Sequence, residues 1–342
     1  MKKLFYILLA MTGVLFTSCE NGDWEFDDFE YTTVYFANQS PVRRICLGED
    51  VYPTELDNLH QFEIYATMGG VYNNKKDIKI DIKVDNSLCN NVNFKDTERD
   101  ILPMPASYYT LDANQIVIKK GQIQGCVGVQ LTDAFFNDPL ALENNYVIPV
   151  VMTHVNGADS ILQGKALVNA PNRVNGADWE VAPKDYTLYA VKYINQYDAN
   201  YLRRGKDVYT GAINETAIRH AAYVEKDEVV SAITTRSLNT IAWEHPAKDA
   251  NGNIVGAVLL LTFDANGNCT VTSETDGVKA TGSGQYVAKG EKKSWGDKDR
   301  DALYLNYTLE YSGIKCATSD TLVVRDRGSK AEYFELVYNE VK

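Results

Sequence analysis

A chain of 342 residues, 45% of them apolar, has the length of about two domains and enough apolar side chains for packed cores, which excludes a disordered protein. Its 34 Lys plus Arg stand against 46 Asp plus Glu, a net charge of −12, and no basic block offers a footprint for a phosphate backbone, so nucleic acid is not an expected partner. The four histidines, His60, His154, His220 and His245, fall in separate segments without ligand spacing. The G-x-S-x-G, Walker and G-x-G-x-x-G signatures are missing as well, so no cofactor, metal or motif-borne catalytic residue is expected.

Lys2 and Lys3 precede an apolar run from Leu4 to Phe16 that is broken only by Thr12 and Gly13. This is too short for ~30 Å of hydrocarbon, which takes about 20 helical residues, and has the length of a signal-peptide core. The run closes on Leu15-Phe16-Thr17-Ser18-Cys19, which resembles the lipobox of bacterial lipoproteins. That resemblance implies a signal peptide over residues 1–18 and a lipidated Cys19, with palmitate among its acyl chains. An ordinary secretory signal followed by an incidental cysteine is the alternative. Loss of Lys2 and Lys3 takes the net charge from −12 to −14.

Residues 19–30 form an acidic tether, with Glu20, Asp23, Glu25, Asp27, Asp28 and Glu30 and no base. Dense like charge resists packing. Acids placed soon after a lipidated cysteine also resemble the surface-export signal of Bacteroidetes lipoproteins, which implies an outer-membrane protein anchored by lipid and facing the cell exterior. Trp24 within the tether reads as a hydrophobic latch. Of the remaining cysteines, Cys46, Cys89, Cys126, Cys269 and Cys316, an odd number cannot all pair within one chain and none shows C-x-x-C spacing. They read as mostly free and buried, a Cys269 to Cys316 bridge being the one conceivable pairing.

Short runs rich in branched and aromatic residues then follow one another. Val34 to Phe36, Gln61 to Thr67, Asp77 to Val84, Gln115 to Lys119, Cys126 to Leu131 and Tyr146 to His154 read as strands, and Ile78, Ile80, Ile82 and Val84 alternate strictly with polar residues. This density predicts an immunoglobulin-like sandwich over residues 31–168. Residues 169–177, with Pro171, Gly176 and three Asn, read as a linker. Over 178–342, Thr187 to Ile194, Val229 to Thr234, Thr240 to Trp243, Ile254 to Phe263, Cys269 to Ser273, Gly284 to Ala288, Ala302 to Tyr311, Thr321 to Arg325 and Tyr333 to Tyr338 continue the strand pattern. The Asn-Gly pairs in Asp249 to Asn253 and Asp264 to Asn268 suit tight hairpins rather than calcium loops, because Gly252 and Gly267 fall at position four instead of six. An up-and-down meander of about eight strands can close into a small barrel. Short helices are expected over Asn195 to Lys206 and His220 to Asp227.

Ligand-binding candidates are few. The 22 Tyr and 4 Trp offer flat apolar faces with polar tips, which suit sugar rings and equally suit a barrel wall. Aromatics in turn-rich segments are the sharper candidates, namely Trp243 with His245, and Trp295 with Asp297 and Asp299. Asp297, Asp299 and Asp301 alternate in a way that can serve a hard cation, but Lys298 and Arg300 between them offset the charge, so a solvated hairpin loop is favoured.

Val34-Tyr35-Phe36, Leu102-Pro103 with Tyr108-Tyr109, Ile116 to Gly121 and Tyr146 to Val150 make the first half similar to the uncharacterised amino-terminal domain of many Bacteroidetes surface lipoproteins, found also in front of some lipoprotein endo-β-N-acetylglucosaminidases. Trp295 with Leu303 to Thr308, and Thr321 to Arg327, make the second half resemble the partner domain that often follows it. The resemblance implies an all-β protein, an N-terminal immunoglobulin-like β-sandwich followed by a C-terminal lipocalin-like antiparallel β-barrel, working with outer-membrane transport or degradation proteins. It also implies a structural contact of Trp179 with Arg325 or Arg327. The glycosidase relatives add a (β/α)₈ barrel of about 250 residues, for which no room remains. The expectation is a non-catalytic protein that binds a glycan. A structural or adhesive lipoprotein that binds a protein partner is the alternative, and an enzyme with an unsignalled carboxylate pair a third.

Overall fold

The computed structural model describes residues 28–219 and 230–340 and is all-β. Cys19, Trp24, His220 and the helix expected over His220 to Asp227 lie outside the described residues. No helix among the described residues is long and apolar enough to cross a membrane.

The amino-terminal unit is a sandwich of two sheets. One runs Ser160–Ile161, Thr33–Tyr35, Gln61–Gly69, Gln124–Leu131, Tyr109–Leu111; the other runs Glu332–Tyr333, Pro41–Cys46, Tyr186–Ile194, Tyr146–Asn156, Ile78–Val84, Gln115–Ile118. The alternation at Ile78, Ile80 and Ile82 points these side chains between the sheets, where they meet Phe62, Ile64, Val129 and Ile148. Each such side chain contributes about 1.5–3 kcal/mol by leaving water.

The division of the chain differs from the one expected. Tyr186–Ile194, expected to open the second unit, lies inside the sandwich, parallel to Pro41–Cys46 and antiparallel to Tyr146–Asn156. Both of its faces are covered: Leu188 and Ala190 enter one apolar cluster while Val191 and Tyr193 enter the other. That explains its near-continuous apolar run, the mark of a central strand. Residues 169–177 therefore fold onto the sandwich, where Arg173 grips buried Asp185 through Nε and Nη2 at 2.9–3.1 Å. The chain also returns at its end, pairing Glu332–Tyr333 with Pro41–Cys46 and Leu336–Tyr338 with Val92–Phe94.

The second unit is a closed antiparallel barrel. Ala199–Gly211, Val230–Ser237, Thr240–His245, Ala257–Phe263, Asn268–Ser273, Lys279–Ser294, Lys298–Tyr311 and Ile314–Asp326 follow one another, and the last pairs with the first. Glu215–Arg219 pairs with the later half of Ala199–Gly211, beside Val230–Ser237 on its earlier half. The helix expected over Asn195 to Lys206 is a turn and the start of a strand. Its period of two was hidden because polar Arg203 and Asp207 share the inward face with Tyr201 and Tyr209, while apolar Leu202 is buried on the outer one. The hairpin turns form as expected. Asp264 accepts from the backbone N–H of Asn266 and Asn268 and from the Asn268 amide, Asp249 does the same with Asn251 and Asn253, and Gly252 and Gly267 adopt positive φ. All five cysteines of the described residues are free, four of them buried.

Candidate functional site

The barrel interior is layered. Next to the sandwich, Tyr197 stacks on Phe263 with centroids 3.7 Å apart, and Tyr286 meets Tyr197 edge-on at 5.1 Å. Deeper lies a charged layer. Arg203, 2% exposed, donates from Nε to Asp320 at 3.0 Å and from Nη2 to the Tyr307 hydroxyl at 3.3 Å, and its Nη2 lies 2.9 Å from His245 Nε2. Arg219 donates to both Asp207 and Asp320, and Thr318 and Tyr307 add hydroxyl donors, to Asp207 and Asp320 respectively at 2.8 Å. Burial alone would raise the Asp207 carboxyl, but Arg219, together with the Arg203 charge and the Thr318 hydroxyl, offsets this and holds it below the usual carboxylate range.

Trp243 and His245, expected in a turn-rich segment, instead alternate along the Thr240–His245 strand and reach this interior, each 1% exposed. Their ring centroids are 4.8 Å apart, and the Arg203 guanidinium lies 4.8 Å over the Trp243 ring. Trp243 Nε1 and His245 Nδ1 are buried without a hydrogen-bond partner, and so is Arg219 Nε.

The other candidates lie outside the barrel wall. Trp295, 9% exposed, packs on Leu202 and Val323, and Arg204 covers its ring at 4.0 Å. It is thus a structural cover and offers no face to a sugar. Asp297 is exposed at the hairpin tip with φ of +56°. Asp299 accepts from the Lys293 N–H and Lys292 Nζ, and Asp301 from the Tyr286 hydroxyl and the Lys289 N–H. Two of the three carboxylates thus anchor the hairpin with two accepted hydrogen bonds each, which leaves acceptor sites on both, and among the described residues no three His, Cys, Asp or Glu gather as a metal ion would need. The contact expected between Trp179 and Arg325 or Arg327 is not made: Trp179 Nε1 donates to the Asn172 carbonyl at 2.7 Å, and Arg327 serves backbone carbonyls elsewhere.

A cleft of about 230 Å³ opens between the sandwich and the barrel mouth. Glu49, Asp50 and Val51 form its sandwich side, and Tyr286, Gln196, Lys298, Asp299 and Asp301 stand among its barrel side. Sequence reasoning found Asp299 and missed Tyr286 and Gln196, because only the docking of the two units brings residues 49–51 to residues 286–301. It also missed Arg203, Asp207 and Asp320, whose spacing carries no motif; the one available signal was charged residues at inward positions of otherwise apolar strands.

Two family models match the chain. One, described as an N-terminal domain, covers residues 29–159, and the domain of unknown function DUF5627 covers residues 196–328, the barrel. Among curated proteins none matches. A solved protein of unknown function from Bacteroides ovatus is 47% identical, with a TM-score of 0.87, and the alignment covers 91% of this chain and 100% of that one. A second B. ovatus protein of unknown function is 12% identical (TM-score 0.41; 90% of this chain, 100% of that one). An auxiliary nutrient binding protein from Bacteroides thetaiotaomicron is 14% identical (TM-score 0.36; 85% and 95%). The last two are too distant to bear on this chain. The first is not: with a sandwich and a DUF5627 barrel matched along that protein's whole length, this chain belongs to the same Bacteroides family.

Proposed function

We propose that the chain is a surface-displayed, lipid-anchored, non-catalytic carbohydrate-binding protein that captures a glycan for an outer-membrane transport or degradation system. The observation that supports this reading is the cleft at the barrel mouth. It combines an aromatic ring, Tyr286, with an amide, Gln196, and the carboxylates Asp299 and Asp301, the group types that stack on a sugar ring and bind its hydroxyls. Catalysis by a carboxylate pair needs two groups with separated proton affinities. The buried pair Asp207 and Asp320 is instead clamped between two guanidinium groups, so both carboxylates are taken up by ion pairs within the protein.

Calorimetric titration of the mature chain with host and dietary glycans tests the reading. Saturable binding weakened at least tenfold by Asp299→Ala or Tyr286→Leu is expected; a silent panel from folded protein sinks it. A second reading has its own observation, since Val51, Tyr52, Leu56 and Leu59 are all exposed on one short segment and suit a protein partner. The silent panel would favour that reading. For the anchor, Cys19→Ala is expected to release the protein from membranes, and a variant that still fractionates with them would count against lipidation.

A further inference from the structure

The buried donors of the barrel interior are not accounted for by the cleft. The aromatic layer of Tyr197, Phe263 and Tyr286 stands between the two. A guanidinium can only donate, so His245 Nε2 accepts from Arg203, and the ring hydrogen of the neutral imidazole then sits on Nδ1. Burial, reinforced by the Arg203 charge, keeps this ring neutral by pushing its pKa down to about 3. Trp243 Nε1 is also a donor and nothing else. The two residues alternate on one strand, in rings 4.8 Å apart, and present two unpartnered N–H groups, each from a side chain 1% exposed. Buried polar groups almost always find a partner, so two orphans side by side call for one.

We propose that the barrel interior is a second binding site, for a small uncharged molecule whose carbonyl or hydroxyl oxygens accept from Trp243 Nε1 and His245 Nδ1. Charge selects this class. Arg203 and Arg219 already balance Asp207 and Asp320, and a ligand bringing its own charge would bury it without a counter-ion. Donors alone remain to be served, so the ligand supplies acceptors. The charged layer is not wholly sealed from solvent, since the Arg219 side chain within it is 16% exposed.

The test follows the Trp243 indole N–H in ¹H–¹⁵N spectra of the mature chain, with the resonance assigned by Trp243→Phe. The probes are acetamide and glycerol, with acetate as the charged counterpart of acetamide. A saturable shift with acetamide or glycerol is expected, at least tenfold weaker with acetate and weakened in His245→Phe. The same shift is expected to persist in Asp299→Ala, which separates this site from the glycan cleft. Two results overturn the proposal: a resonance indifferent to both uncharged probes, or one that acetate moves as strongly as acetamide. Both are read in the wild-type chain, so the test survives even if His245→Phe does not fold.

Discussion

Burial and the Arg203 charge hold His245 down to about 3, whereas an unfolded histidine titrates near 6.5. Between those values the unfolded chain carries a proton that the folded chain refuses, so stability present at neutral pH is lost as pH falls below about 6.5. The loss approaches ~1.4 kcal/mol per pH unit. Urea unfolding at about pH 7 and about pH 5.5, where exposed carboxylates remain ionised, is expected to show a drop of about 1 kcal/mol that His245→Gln abolishes. An unchanged pH slope in the variant would mean that His245 accepts its proton in place. At this scale the sequence was half legible. Trp243 and His245 stand out as an aromatic and a titratable group two positions apart, but Arg203, Asp207 and Asp320 come from strands more than a hundred residues apart in part and meet only when the barrel closes.

Most strands were readable because alternation of branched and polar residues reports a half-buried face directly, as it does from Ile78 to Val84. What alternation cannot report is the partner. Tyr333 to Tyr338 reads as strand, and its place in the chain assigns it to the barrel; its backbone pairs with the sandwich instead. Phe334 shows why. Its ring is buried edge-on against Phe94, centroids 5.0 Å apart, in a cluster with Leu88, Val92 and Ile101. A barrel already closed by Ile314–Asp326 offers no such pocket. Phe334→Ala is expected to cost about 3 kcal/mol in denaturant unfolding, as truncation of a buried aromatic does. Proteolysis should then cut the sandwich half first, although the substitution lies beyond the last barrel strand. Cleavage confined to the barrel would show that the terminal segment is not part of the sandwich core.

The two units are joined by more than a covalent crossing. Arg327, which follows the last barrel strand, donates from Nη1 to the carbonyls of Leu47 (2.7 Å) and Glu49 (3.2 Å) in the sandwich, from Nη2 to Asn195 and from Nε to Asp198 (3.1 Å). One planar fork thus serves four carbonyls on both sides of the junction, which a lysine with a single ammonium cannot reproduce. Gly48 sits here with φ of +90°, and a Cβ added to it would lie 2.7 Å from the Gln196 Cβ, so the loop is shaped to this approach. The family resemblance implied an aromatic partner, Trp179, for Arg325 or Arg327 within the barrel half, and nothing in local pattern reports a contact 280 residues away. Removing the guanidinium leaves carbonyls at the junction unserved, a loss on the order of 3 kcal/mol. Scanning calorimetry of the native chain is expected to give one cooperative transition, and Arg327→Ala two, with the barrel and the sandwich melting apart. Arg327→Lys should behave like the alanine variant rather than the parent, because geometry and not charge does the joining. If the alanine variant still melts in one transition, the strands returning at 332–338 are what bind the halves, and the cleft above Tyr286 owes its shape to them instead.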